Sequence, residues 1–146
     1  MRLYDLNKEA SNEVYACLSD SIKLKKCYTN IFHAVMSAEY FGKFKSGEWK
    51  IAYGYFQVTG IGTLYARHCF ILDENDKVID PTLSKVLEEK NERDRYPQYI
   101  CTAILTLNEY EELIFSNNSL SLDDVFLKEE KELQHDAFDS GIFLIG

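Results

Sequence analysis

Between Trp49 and Glu74 the chain changes period, and this change constrains the fold more than any other feature. "WKIAYGYFQVTG" and "GTLYARHCFILDE" are rich in aromatic and β-branched residues, with Gly60 and Gly62 between them. They read as two strands of a hairpin. "KVIDPTL" follows the polar turn "DENDK" and reads as a third, shorter strand. It must end at Pro81 or lie at an edge, because proline cannot donate a ladder hydrogen bond. Upstream the period is helical. Leu6, Ala10, Val14, Cys17 and Leu18 form one stripe of an amphipathic helix. In "KKCYTNIFHAVMSAEY" the apolar residues from Ile31 to Phe41 cover most of the circumference, which predicts a central buried helix ended by Gly42. Helices first, then antiparallel strands, then a mixed tail read as α+β.

In that tail "SKVLEEKNERDRYPQ" fits either a frayed helix or a surface loop. "YICTAILTL" reads as a strand, and "NEYEELIFSN" as a helix capped by Asn108. "SLDDVFLKEEKELQHDAF" reads as a helix with Ser121 as N-cap, and "GIFLIG" as a last strand. At 146 residues a single domain over 1–146 is the expectation, with an acidic helical C-terminal part at 107–140.

Charge and cysteine usage narrow the function. The net charge of −8 falls entirely after Asn108, where two lysines face ten acids. An acidic last third opposes backbone binding to nucleic acid or to an anionic membrane. It reads as a solvated helix face, or as a surface for a basic protein partner. The N-terminus has no leader pattern and no segment is long enough to cross a bilayer, so a cytoplasmic protein is expected. Cys17, Cys27, Cys69 and Cys101 form no CxxC pair and read as reduced thiols.

A nucleophilic thiol must be a thiolate, and Cys27 has the sequence context that favours one. Lys25 and Lys26 precede it, and it stands at the first turn of the central helix. Cys17, Cys69 and Cys101 lie within apolar runs and read as buried and inert. Of the histidines, His33 lies six residues on from Cys27 and points off its face, while His135 belongs to the acidic C-terminal helix. His68 remains as the base. If the loop after its strand is odd in length, one register pairs Phe70 with Asp80 and His68 with Thr82. His68 and Asp80 are then diagonal neighbours on one face, whereas an even loop would separate them. Cys27 would attack, His68 would carry the proton and Asp80 would fix the imidazole. No cofactor is implied. A metal site on Cys27, His68 and Cys69 is disfavoured, because adjacent strand residues point to opposite faces.

The order of a Cys opening a buried helix, then "HCF" at His68–Phe70, then "VIDPT" at Val78–Thr82 resembles the papain-like superfamily, particularly its transglutaminase-like branch. "CYTN" at Cys27–Asn30 and "YGYF" at Tyr53–Phe56 add to the resemblance, which runs from Lys26 to Thr82. It implies a central buried helix packed on an antiparallel sheet and a Cys27–His68–Asp80 triad. The substrate would be a peptide, protein or other amide, handled by a peptidase, amidase, deamidase or acyl transferase through a Cys27 thioester. The chain departs from the family in having no Gln in "SDSIKLKK", where papain-like proteases carry an oxyanion donor. Backbone N–H groups at the helix start, with Asn30 or Tyr28, are the substitutes considered.

Two functional readings stay open: this thiol enzyme, or an inactive relative acting as a protein-binding module such as a phage or mobile-element inhibitor. An occluded Cys27 or a His68 turned away would favour the second. In "IAYGYFQV" the alternation puts Tyr53 and Tyr55 on one face and Phe56 on the other, as sheet packing or as the lining of a substrate cleft. The segment from Glu88 to Arg95 reads as a surface loop or a lid over that cleft.

Overall fold

The computed structural model describes residues 1–58, 64–92 and 94–145, and no side chains at 123–130. Gly60 and Gly62 therefore lie outside the described residues. The fold is α+β. Among the described residues, six helices accompany an antiparallel path of strands, β3–β2–β1–β4, and a short β5 pairs parallel with β2.

The strands are β1 (Lys50–Gln57), β2 (Leu64–Leu72), β3 (Val78–Ile79), β4 (Tyr99–Leu105) and β5 (Phe143–Ile145). The β2–β3 loop runs over the five residues Asp73–Lys77. Asp73 sets that length, since its Oδ1 accepts from the backbone of Asn75 at 2.8 Å and of Lys77 at 2.9 Å. A short acid bonding its own turn in this way is the usual device of such loops. The register that follows pairs Ile71 with Ile79 and Leu72 with Val78. Its continuation would oppose Phe70 to Asp80.

The third strand is shorter than "KVIDPTL" because Asp80 stops it. Asp80 caps α4 (Pro81–Lys90), accepting from the Leu83 N–H at 3.2 Å, with Pro81 in the first helical position. An acid at the N-cap followed by proline suits a helix start, where proline's missing N–H costs nothing. Of the charged segment that fits a helix or a loop, residues 84–90 belong to α4, which is ended by Asn91 in the left-handed conformation.

Other boundaries also move. α1 spans Lys8–Leu18 and starts two residues after Leu6, because Asn7 is its cap and accepts from Ala10 N–H at 3.0 Å. α2 spans Cys27–Met36 and does not reach Gly42. Ser37 turns extended there, and its hydroxyl bonds the Ala34 carbonyl and the Tyr40 N–H. Gly42 falls inside a short α3 (Phe41–Lys45). α5 (Leu107–Asn117) is capped by Thr106 and not Asn108, because Thr106 and Glu109 form a reciprocal capping box. α6 (Asp123–Asp139) follows Leu122, not Ser121; Leu122 holds φ 52° with its side chain in the core.

The two faces of the sheet have different cores. On one, α2 and α5 pack against Ile51, Tyr53, Cys69 and Ile71. On the other, Ala52, Phe70, Leu72, Val78 and Tyr99 form a second cluster, with Tyr4 and Leu6 against it. Tyr4 bridges to Tyr99 on β4 and Leu6 to Val78 on β3. Two residues of extended chain reach only about 7 Å, so the sheet must curl strongly on this side to bring its two edges that close.

Candidate active site

α2 opens on Cys27. Lys26 precedes it as an N-cap with no side-chain bond to the helix, so the positive end of the α2 dipole is left without a side-chain acceptor from the cap. The thiol is half-buried.

His68 enters from β2. On its outer edge β2 is paired at one end by β5, at Leu64–Ala66, and at the other by β3, at Ile71–Leu72. Among the described residues, Arg67 to Phe70 have no strand beside them on that edge, and Arg67 and His68 line a cleft of about 560 Å³. Cys27, Tyr28, Asp80 and Thr82 line it too.

His68 Nε2 lies 2.9 Å from Asp80 Oδ2. That engagement leaves Nδ1 free of Asp80, and the Cys27 thiol lies near enough to the imidazole to favour its charged form. Burial disfavours the imidazolium, but the Asp80 charge, the Asp80 hydrogen bond and the Cys27 contact outweigh it, so His68 is pushed up to about 10. Phe56 packs on the ring at a centroid distance of 4.6 Å, with Phe70 at 6.2 Å and Tyr99 at 6.5 Å. These aromatic rings hold the imidazole in place.

Asp80 is fully buried and accepts three hydrogen bonds: from His68, from the Leu83 N–H, and from the Tyr99 hydroxyl at 2.7 Å. Its own N–H donates to Ser11 Oγ at 2.8 Å, which ties it to α1. A buried carboxylate needs such donors to offset its lost hydration. Burial, followed by the Asp80 charge and hydrogen bond, pushes the Tyr99 hydroxyl well above its usual range, so it stays a donor.

Tyr99 is the site residue that sequence reasoning missed, and a bulge puts it there. β1 pairs Tyr53 with Ala103 but Gly54 with Cys101, so Thr102 is an extra residue in β4. Without that extra residue Phe56 would face Ile100, and Tyr99 would point to the opposite side. Gly54 makes the close approach possible, since a Cβ there would overlap the Ile100 carbonyl.

The other sequence candidates go elsewhere, apart from Tyr28. Asn30 is fully buried and is not an oxyanion donor; it bonds the Lys23 N–H and carbonyl and the Thr82 hydroxyl. Tyr53 stacks on Tyr28 at 5.7 Å and donates to the Leu120 carbonyl at 2.6 Å, inside the core. Tyr55 is buried with Tyr65 and Ile100 in a separate cluster. Neither Tyr53 nor Tyr55 lines the cleft, because both side chains point to the face opposite His68. Tyr28 does line it.

Cys69 is fully buried, and burial followed by the Cys27 charge pushes its thiol well up, which makes it inert. Cys101 is half-buried and burial pushes it up to about 12. Cys17, expected to be buried, is exposed: the face of α1 that meets the core runs through Val14 and Leu18, and Cys17 stands beside it. His33 packs edge-on against Phe32, and His135 is exposed at 3.6 Å from Asp139. Among the described residues, no group of three or more His, Cys, Asp or Glu side chains could hold a metal ion, and no helix is long and apolar enough to cross a membrane.

No protein-family model, curated protein or solved structure matches the chain.

Proposed function

We propose that the protein is a cysteine-dependent enzyme that breaks or transfers an acyl group held as an amide or thioester. One observation carries this reading: a single buried imidazole is bonded to Asp80 through Nε2 and shares the wall of one cleft with the Cys27 thiol, which favours its charged form. A thiol enzyme needs those three roles in that order. Neither condition favouring a mere binding module is met, since Cys27 is partly accessible and His68 faces it.

In the proposed cycle His68 is already the imidazolium, holding the proton that Cys27 has given up, and the sulfur attacks the carbonyl carbon, moving the C=O π pair onto oxygen. The oxyanion is stabilised by backbone N–H groups at the start of α2, in place of the absent Gln. As the oxyanion collapses, the C–N bond breaks with its electron pair on nitrogen. Nitrogen takes the proton from His68, and the acyl group remains on Cys27 as a thioester. Water then gives a proton to His68 while its oxygen attacks the thioester carbon. The C–S bond breaks, the acid leaves and the thiolate–imidazolium pair is restored. An amine in place of water gives acyl transfer, and a primary amide substrate releases ammonia.

Kinship with the papain-like, transglutaminase-like enzymes belongs to the same reading, supported by the buried helix opening on Cys27 against a His-bearing sheet. Asp80 departs from a purely strand-borne triad by capping a helix. Four unpaired cysteines support a reducing compartment such as the cytoplasm.

The test is the pH dependence of iodoacetamide alkylation, read cysteine by cysteine by mass spectrometry. Cys27 should react faster than exposed Cys17 at pH 6.5, and His68→Ala should abolish the advantage. Equal rates at the two thiols in a folded wild-type protein would sink the proposal.

A further inference from the structure

The chain carries −8 overall, yet the cleft at Cys27 is lined with cations. Lys25, Arg67, Lys90 and Arg95 all border it. Among the described residues that line it, Asp80 is the single acid, and it is fully buried and bonded to His68 and Tyr99. The four cations come from four separate segments: the approach to α2, β2, the end of α4, and the stretch leading into β4. Between them the walls are apolar, formed by Phe56, Val58, Leu83 and Val86. A cleft of one charge sign with low-dielectric walls focuses its field on whatever enters. Lys25 also holds φ 59°, a left-handed backbone that a residue with a Cβ adopts at a local penalty, and such strain clusters where a side chain is positioned for a task.

We propose that the cleft selects acyl substrates that carry carboxylates beside the reacting amide. These are either the side chains of an acidic peptide or the free carboxylates of a small amide. The proposal deepens the cysteine-enzyme reading and rests on it. A cavity of about 560 Å³ lies within the range of ordinary ligand pockets, with room for a reacting amide and its neighbouring groups. The apolar walls would hold the carbon skeleton, and the cations at their margins would replace the hydration of its carboxylates.

Iodoacetate and iodoacetamide test this directly, because the thiolate displaces iodide from the CH₂ carbon of each, gaining a carboxymethyl or a carbamoylmethyl group, and the reagents differ by one negative charge. The readout is the iodoacetate-to-iodoacetamide rate ratio at Cys27, divided by the same ratio at Cys17. A preference for the anionic reagent on the order of tenfold is expected at low salt, falling several-fold in 0.5 M NaCl. The exposed pair Lys25→Gln with Lys90→Gln should lower it, while Lys50→Gln, outside the cleft, should not. Fast iodoacetamide reaction at Cys27 with no anionic preference would overturn the charge inference and leave the thiol reading standing. An anionic preference with Cys27 no faster than Cys17 toward iodoacetamide would overturn both, leaving only an anion site.

Protection of Cys27 from iodoacetamide then separates the two sources. An acidic blocked peptide protecting at lower concentration than its Gln and Asn isostere supports a peptide substrate. Glutarate protecting as well as that peptide supports a small dicarboxylate. Equal protection by the acidic and neutral peptides overturns the proposal.

Discussion

Tyr99→Phe removes one oxygen and little else, which makes it the cleanest probe of how Asp80 is held. The ring packs on Phe70 at 4.9 Å and near His68 at 6.5 Å, and phenylalanine keeps both contacts without opening a cavity. What is lost is an O–H donor at 2.7 Å to a fully buried carboxylate. Hydrogen bonds to charged groups contribute about 1.5–3 kcal/mol, and the abandoned acceptor has no water to turn to. In a domain of this size each kcal/mol corresponds to roughly 2–4 °C in Tm, so a fall of about 3–12 °C is expected. Urea unfolding at pH 7 measures the free energy. The exposed control Tyr96→Phe should stay within about 0.5 kcal/mol of wild type. The decisive comparison is a double-mutant cycle with Asp80→Asn, in which the Tyr99→Phe penalty should shrink by about 1 kcal/mol or more because the charge is gone. Additive effects, or a Tyr99→Phe protein as stable as wild type, would refute a charge-assisted bond to Asp80.

Gly54→Ala should destabilise by about 3 kcal/mol or more, since its Cβ meets backbone at Ile100 and neither strand can yield cheaply; thermal unfolding followed by near-ultraviolet circular dichroism checks it. Asn30→Ala should cost roughly 2–4 kcal/mol from three lost bonds that tie Lys23 to Thr82, a loss that chemical denaturation would detect and that an oxyanion role alone would not produce. For pH, His68 stands at about 10 in the folded protein against about 6.5 unfolded. Its contribution is fully present below pH 6.5 and is lost as pH rises towards 10, because the folded state binds the extra proton there. Urea unfolding between pH 6.5 and 9.5 should therefore show wild type losing more stability than His68→Gln; parallel losses would refute the raised imidazole.

Local chemistry made much of the fold readable. The aromatic and β-branched residues of β1 and β2 allow little but strand, and the nearly all-apolar face of α2 demands burial on several sides, so the α+β class followed from the chain. The His68–Asp80 pairing was conditional on loop parity, and the turn-forming Asp73 supplies the odd loop. The Asp80–Pro81 pair suits a helix start by its residue types, although "KVIDPTL" reads as a short strand where it follows the polar turn "DENDK". Asn30, Tyr53 and Tyr55 were drawn toward the site by proximity in sequence, but the strand alternation and the loop at Lys23 turn them inward.

By itself the sequence determined that β1, β2 and β4 are strands and that α1, α2 and α5 are helices, and which thiol sits at a helix start with lysines before it, because these depend on residues within a few positions of one another. Only the tertiary structure decided that Tyr99 reaches Asp80 and that four cations from separate segments share one cleft. The first depends on the curl of the sheet and on one extra residue at Thr102, the second on how the four segments pack around the cleft. A single inserted residue reverses every side chain beyond it, and no local propensity announces where it will fall.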